Sequence, residues 1–315
     1  MTVPPPLRDA VVVARRRLAS EVDAFELAAA DGSPLGAWAP GAHLDVVLPD
    51  GTERQYSLCG DASTSETWTI AVLREDDGRG GSHWIHENLH EGARIQVRGP
   101  WNHFALAAAP RYRFLAGGIG ITPLLPMIAA ADAAGARWTL DYAGRSRETM
   151  AFLPELETHG AKVRVHAADE GARLDIDALF PAPGELVFAC GPQRMLDALD
   201  QAARTWAPEA LHVERFEARE VGEPVLHESF EVELAISGTT VTVDPDTSVL
   251  DAVESAGVFV LSSCREGTCG TCETPVMEGE VDHRDSILSP AEQDMNDRMM
   301  ICVSRASCPR LVLEL

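Results

Sequence analysis

Four of the seven cysteines in this 315-residue chain gather near its C-terminal end. Cys264, Cys269 and Cys272 follow a Cys-x4-Cys-x2-Cys spacing, and Cys302 comes after a gap of 29 residues. Thiolates at that spacing suit a plant-type [2Fe-2S] cluster. Gly267 and Gly270 permit a tight loop that aims backbone N–H groups at sulfur, and such hydrogen bonds tune a cluster's potential. The competing readings are a tetrahedral zinc site, a disulfide pair and unrelated buried thiols. Zinc sites usually pair two Cys-x2-Cys knuckles, and here one knuckle stands beside a four-residue spacing. Bunched cysteines in a reducing compartment favour metal ligation over disulfides. Cys59 and Cys308 lie outside the pattern and read as small packed residues.

A second candidate lies in the run Phe114-Leu115-Ala116-Gly117-Gly118-Ile119-Gly120-Ile121-Thr122-Pro123. It predicts a strand, a glycine turn, and a helix capped by Thr122 with Pro123 at its first position. Bare backbone at a helix N-terminus suits a dinucleotide pyrophosphate. The spacing is Gly-x-Gly-x-x-Pro and departs from the usual Rossmann fingerprint, so a merely structural strand-to-helix turn is an equal reading. A third candidate pairs Arg54-Gln55-Tyr56-Ser57-Leu58 with Gly80-Gly81-Ser82. Together they offer a charge, a ring to stack and a hydroxyl beside a helix start that suits a terminal phosphate. Their ordinary readings are a surface strand and a helix cap.

Three textures position these groups. Up to about residue 104, short β-type runs such as 44–48 and 68–73 alternate with the turn clusters Pro49-Asp50-Gly51 and Asp76-Asp77-Gly78, which predicts an antiparallel barrel. From about residue 111, strands at 112–116, 138–143 and 186–189 alternate with helices at 124–134 and 195–203, which predicts an open parallel α/β sheet. Residues 217–229 read as a linker. Beyond it Phe230, Val232, Leu234 and Ile236 alternate strictly, Ser237-Gly238 turns, and a second strand runs to Val243. A helix over 248–256 ends at Gly257, and Ser289-Pro290-Ala291-Glu292 announces another with a capping box. The last segment is thus a small mixed α and β domain.

The length calls for two or three domains. The net charge of −23 makes nucleic acid an unsuitable partner, because phosphate binding depends on Lys and Arg displacing counterions. Residues 226–315 hold 17 acidic and 5 basic residues, a net of −12. That asymmetry reads either as a docking surface for a basic partner or as a solvated face. There is no apolar run near the ~20 residues of a bilayer span. Val11 to Val13 precede Arg15 to Arg17, the reverse of a signal peptide, so the expectation is a cytoplasmic protein without a membrane partner.

These motifs, in this order, resemble the phthalate dioxygenase reductase family, which includes vanillate O-demethylase reductase subunits, and the resemblance covers essentially the whole chain. It implies an FMN-binding antiparallel β-barrel over 1–106, an NAD(P)H-binding α/β domain over 107–222, and a β-grasp-like plant-type ferredoxin domain over 223–315. Arg54 would bind the FMN phosphate with Gly81 and Ser82, while Tyr56 and Ser57, followed by Leu58, would meet the isoalloxazine. FMN is thereby favoured over FAD. Gly118, Gly120 and Thr122 would flank the dinucleotide, and Cys190-Gly191-Pro192 matches the family's signature beside the nicotinamide. Phe216, in Glu214-Arg215-Phe216, would lie against the flavin, so Ser57, Cys190 and Phe216 would border the reacting ring. Pro100, Asn102 and Phe104 match the family's Pro-x-Asn-x-Phe element.

The implied activity is electron transfer from NADH through FMN and the [2Fe-2S] cluster to a terminal oxygenase, Rieske-type and vanillate-demethylase-like, with a cytochrome P450 as the alternative acceptor. Arg145, with Ser146 and Arg147, follows the second nucleotide-domain strand, where an arginine can pair with a 2′-phosphate, so NADPH is the alternative donor. Nicotinamide delivers two electrons as hydride and a [2Fe-2S] cluster accepts one, so a flavin is needed between them and no side-chain nucleophile is required. A reading of a different class is a zinc-binding or redox-sensing protein that turns nothing over.

Overall fold

The computed structural model describes residues 5–75, 78, 80–207 and 209–315, so Asp76 and Asp77 of the expected turn lie outside the described residues. Among the described residues the strands form a six-stranded sheet, two five-stranded sheets and a two-stranded ribbon. The chain divides into two compact units, Met1–Glu214 and Arg215–Leu315.

The first sheet contains β1 (Leu7–Ala19), β2 (Val22–Ala29), β3 (His43–Val47), β4 (Glu53–Ser57), β5 (Thr67–Leu73) and β6 (Arg94–Trp101). Its order is β4-β3-β6-β1-β2-β5, with antiparallel pairing throughout. A bridge from Leu58 to Ile70 joins the two edges and closes the sheet into the expected barrel. Alternating residues Val12, Phe25, Leu27, Leu44, Val46, Ile70 and Val97 fill its interior, and α1 (Gly81–Asn88) adds Ile85 to the same core. Outward-facing Val22, Cys59 and Ala71 are also buried, because they pack into the core of the neighbouring parallel sheet.

That sheet comprises β7 (Arg111–Gly117), β8 (Arg137–Gly144), β9 (Val163–Ala167), β10 (Glu185–Cys190) and β11 (Leu211–Glu214), in the order β11-β10-β7-β8-β9 and all parallel. Helices α2 (Leu124–Ala133), α3 (Leu153–Glu157) and α4 (Gln193–Ala203) connect the strands. Cover on both faces explains the unbroken apolar run Phe114-Leu115-Ala116: Phe114 faces one core with Met127 and Phe188, and Leu115 faces another with Leu196 and Leu199. From β7 the chain goes to β8 and β9 on one side, then returns to β10 and β11 on the other. The crevice at the C-terminal ends of β7 and β10 is therefore a topological switch point, where ligands of such sheets bind.

One expectation in this region is corrected. Thr122 does not cap α2, because the chain enters a 3-10 turn, Gly118–Ile121, directly after β7. Thr122 is already helical, with φ −58°, and its hydroxyl donates back to the Ile119 carbonyl at 3.0 Å.

The second unit contains β12 (Phe230–Leu234), β13 (Thr239–Val243), α5 (Val249–Ser255), β14 (Glu273–Glu278), β15 (Val281–Asp282), α6 (Pro290–Met295), β16 (Arg298–Met300), β17 (Arg305–Ala306) and β18 (Arg310–Leu313). Its main sheet runs β13-β12-β18-β14-β16 around a parallel β12–β18 pair, a β-grasp-like arrangement, with Val249, Leu250 and Val253 of α5 in its core. Ser248 accepts from the Asp251 N–H, and Ser289 with Glu292 forms the capping box expected of α6. The alternation stops at Leu234, however. Ile236 lies in a four-residue turn and is 65% exposed, because the hairpin turns two residues earlier than its apolar pattern implies.

The expected linker lacks regular structure but is fastened to this unit. The Arg219 N–H donates to Ser286 Oγ at 2.8 Å, the Val225 N–H to Asp282 Oδ2 at 3.1 Å, and Arg284 Nη2 to the Gly222 carbonyl at 2.6 Å. Among the described residues no helix is long and apolar enough to cross a membrane.

Candidate functional site

The ends of β7 and β10 approach so closely that side chains are excluded between them. A β-carbon on Gly120 would collide with the carbonyl of Cys190 and come within 2.7 Å of the Gly191 nitrogen. One on Gly117 would strike Pro192. These glycines are thus explained by packing against Cys190-Gly191-Pro192. Gly118 is different, with φ +55° and no atom within 4 Å of a built β-carbon. Packing therefore does not account for this glycine, whose left-handed φ opens the turn where backbone N–H groups suit a pyrophosphate.

On the barrel, β4 carries Arg54, Tyr56 and Ser57 in succession and Leu58 follows directly. Helix α1 starts without a side-chain cap at Gly80, whose φ is +80°. Arg54 lies along this start, since a β-carbon on Gly81 would sit 2.8 Å from its Cγ and Nε. A guanidinium beside uncapped N–H groups fits a phosphate. The Ser82 hydroxyl here accepts from the Glu75 N–H at 3.1 Å. Asn102 supports this end of the barrel by donating to the Pro40 carbonyl and accepting from the Phe104 N–H, and the Phe104 ring meets Phe188 of β10 at 5.5 Å.

The two sheets meet chemically at Glu214. This last residue of β11 is register partner to Cys190. The Ser57 hydroxyl donates to its carboxyl at 3.4 Å across 157 residues of sequence. Burial pushes the Glu214 carboxyl up to about 8, against which the Ser57 hydrogen bond works. Burial, with Glu214 next to it, also raises the Cys190 thiol far above its ordinary value. Both shifts favour the uncharged forms, so this crevice groups a hydroxyl, a thiol and a carboxyl disposed to keep its proton. Glu214 adds a group to the crevice that the motif Glu214-Arg215-Phe216 does not announce. An acidic residue closing the short run Leu211-His212-Val213 was the available signal.

The remaining expected residues are less closely gathered. Arg145 is exposed and pairs with Glu21 of the barrel at 3.3 Å. Arg147 is held by Glu157 at 2.6 Å and Glu170 at 2.9 Å. Phe216, two residues past β11, is 42% exposed and belongs to the second unit.

In that second unit Cys269, Cys272 and Cys302 are buried and Cys264 is half-buried. Their thiols touch in a chain, from Cys269 to Cys264, Cys302 and Cys272. Hydrogen bonds from the Cys269 and Cys302 thiols lower the Cys264 thiol strongly. Backbone N–H groups of Glu266 and Thr268 donate to Cys264 Sγ at 3.3 and 3.5 Å, in the loop where Gly267 and Gly270 hold φ of +70° and +74°. Although the four thiols touch, no three His, Cys, Asp or Glu side chains among the described residues converge as ligands of one metal ion. A donor set of four thiols with N–H groups aimed at sulfur fits a two-iron cluster, which Cys264, Cys269, Cys272 and Cys302 would hold. Of the other cysteines, Cys59 is buried in the core between the two sheets. Cys308 is half-buried, its thiol donating to the Arg310 carbonyl at 3.0 Å.

Comparison with known proteins agrees with this geometry. The family model for the 2Fe-2S iron-sulfur cluster binding domain matches residues 232–307. The chain is similar to phenoxybenzoate dioxygenase subunit beta of Ectopseudomonas oleovorans, at 43% identity over 94% of each chain. It also resembles the structure of an intact type IV self-sufficient cytochrome P450 monooxygenase, at 43% identity and a TM-score of 0.91. That match covers all of this chain but only 42% of the P450 chain. The structure of phthalate dioxygenase reductase, described as modular for electron transfer from pyridine nucleotides to [2Fe-2S], matches at 35% identity and a TM-score of 0.69 over 98% of each chain. The chain belongs to the phthalate dioxygenase reductase family, multi-domain iron–sulfur oxidoreductases that serve oxygenase systems as their reductase components.

Proposed function

We propose that this protein takes electrons from NADH through FMN and its [2Fe-2S] cluster to a Rieske-type aromatic oxygenase of the vanillate O-demethylase kind. The observation that carries the reading is the meeting of Ser57 with Glu214 at the sheet edge that also presents Cys190 and the open Gly118 turn. When bound, the flavin supplies the exchange between one hydride and two single electrons.

The chain's own residues hold and screen that chemistry. Arg54, Gly81 and Ser82 bind the FMN phosphate, and Tyr56, Ser57 and Leu58 line the ring. Gly118, Gly120 and Thr122 shape the dinucleotide turn, with Gly191 and Pro192 backing it. Cys190 borders the reacting ring. Protonated Glu214 keeps negative charge out of the crevice and its carboxyl proton near Ser57. Cys264, Cys269, Cys272 and Cys302 hold the cluster. The working parts are 1–106 for flavin, 107–222 for dinucleotide and 223–315 for the cluster, in a cytoplasmic protein. NADH is favoured over NADPH because Arg147 and Arg145 are already engaged by carboxylates.

A second acceptor reading, a cytochrome P450, is supported by the TM-score of 0.91 to the self-sufficient P450. One experiment tests both. Absorption spectra of anaerobic protein are recorded before and after NADH and NADPH, and the released flavin is identified. Purified Rieske oxygenase and P450 candidates are then added. Flavin and iron–sulfur bands bleached by NADH, with turnover of the Rieske component, are expected. A colourless protein overturns the reading, and turnover with the P450 alone overturns the choice of acceptor.

A further inference from the structure

Tyr142 sits near the end of β8 with its side chain fully buried, and its hydroxyl reaches two backbone carbonyls far apart in sequence. It lies 3.1 Å from the Gly118 oxygen and 3.2 Å from the Ala151 oxygen. One hydroxyl proton serves both acceptors, either shared or alternating, so the phenol bridges the turn after β7 to the segment that follows Arg145 and Arg147. Burial raises the phenol well above its ordinary value, so the donor stays protonated.

The consequence follows from peptide geometry. In a planar trans peptide the carbonyl and the next N–H point in opposite directions. Fixing the Gly118 carbonyl on the buried Tyr142 hydroxyl therefore turns the Ile119 N–H away from the core. Gly118 itself adopts φ +55° and leaves open space on its free side. Without the bridge this peptide is held only by the 3-10 turn that Gly118 opens, and a glycine there leaves it the more easily rotated, so the donor it presents is less well fixed.

We propose that Tyr142 is a positioning residue for the dinucleotide, pre-organising the Gly118–Ile119 peptide so that its N–H meets a phosphate of NADH. The inference rests on the NADH reading above. It is tested by stopped-flow reduction of the bound flavin in the full-length holoprotein, over a range of NADH concentrations. Tyr142→Phe is expected to raise the apparent dissociation constant for NADH about tenfold, as loss of a pre-organised charge-assisted hydrogen bond does. The limiting rate at saturation is expected to stay within about twofold, since the reacting end is untouched. Trp138→Phe is the control. It removes a hydrogen bond to Asp132 from the same strand, away from the turn, and should leave the NADH constant unchanged.

An unchanged constant in Tyr142→Phe, a fall in limiting rate alone, or an equal rise in Trp138→Phe overturns the proposal. Unchanged flavin and iron–sulfur absorbance certifies folding of the variants. Should Tyr142→Phe not accumulate, Gly118→Ala strains the same peptide and must raise the constant in the same way, and failure to do so overturns the proposal. Absence of flavin reduction by NADH in the wild-type protein would instead defeat the underlying functional reading, which keeps the two failures separate.

Discussion

Glu214 concentrates the chemistry of the crevice in one proton. Desolvation of this half-buried side chain pushes its carboxyl up to about 8 from an ordinary 4.5. Below that pH it is neutral, and a hydride arriving nearby adds charge to a pocket without an anion. Above it the carboxylate opposes the same transfer. Flavin reduction at saturating NADH is therefore expected to fall as pH rises through about 8, approaching a tenfold loss per unit on the alkaline limb. In Glu214→Gln the limb should vanish, and its survival in a stopped-flow pH profile would remove Glu214 from the account. The sign for stability is the same. The unfolded carboxyl ionises near 4.5 while the folded one holds its proton, so the chain loses stability from about pH 4.5 to 8 and no further above. The cysteines give a cleaner separation. Cys302→Ala should abolish the iron–sulfur bands and reduce electron delivery to an oxygenase to background, while NADH still bleaches the flavin. Cytochrome reduction at full rate in that variant would point to a reductase working through flavin alone.

At the scale of elements, what was legible was what is local. The runs around Phe114, Trp138 and Phe188 read as buried strands because both faces of a parallel sheet are covered, and the caps at Ser248 and Ser289 act within one turn. The cysteine spacing was legible because a cluster loop is largely one segment. The pair of Ser57 and Glu214 was not, since 157 residues separate them and only the packing of barrel on sheet brings them together. The glycine turn was ambiguous for a different reason, as one residue type meets two needs there. Gly120 makes room for the Cys190 carbonyl, and Gly118 supplies a left-handed turn with a free face. The distinction is measurable. Gly120→Ala forces backbone against backbone and should cost about 1–3 kcal/mol, lowering the melting temperature by roughly 2–4 °C per kcal/mol for a unit of this size. A Gly120→Ala protein as stable as wild type would mean that the two strand ends can part, and that packing does not explain this glycine.

The whole molecule is two bodies with separate cores. The clusters around Phe25, Phe114 and Leu115 draw only on residues before Arg215, and that around Phe230 only on residues after it. Each unit is of the size at which a domain folds alone. The residues proposed for flavin and dinucleotide all lie in the first except Phe216, and the four cysteines proposed for the cluster lie in the second. A chain ending at Glu214 is therefore expected to bind FMN and pass electrons from NADH to a small acceptor such as ferricyanide. It should deliver nothing to an oxygenase. Adding residues 215–315 as a separate holo fragment should restore delivery only weakly, because a covalent chain holds its two carriers at an effective concentration on the order of mM. The restored rate should also vary with ionic strength, since residues 226–315 carry a net of −12. Loss of FMN from the 1–214 fragment would show that the flavin site needs the second unit. Full delivery without the cluster fragment would remove the cluster from the electron path.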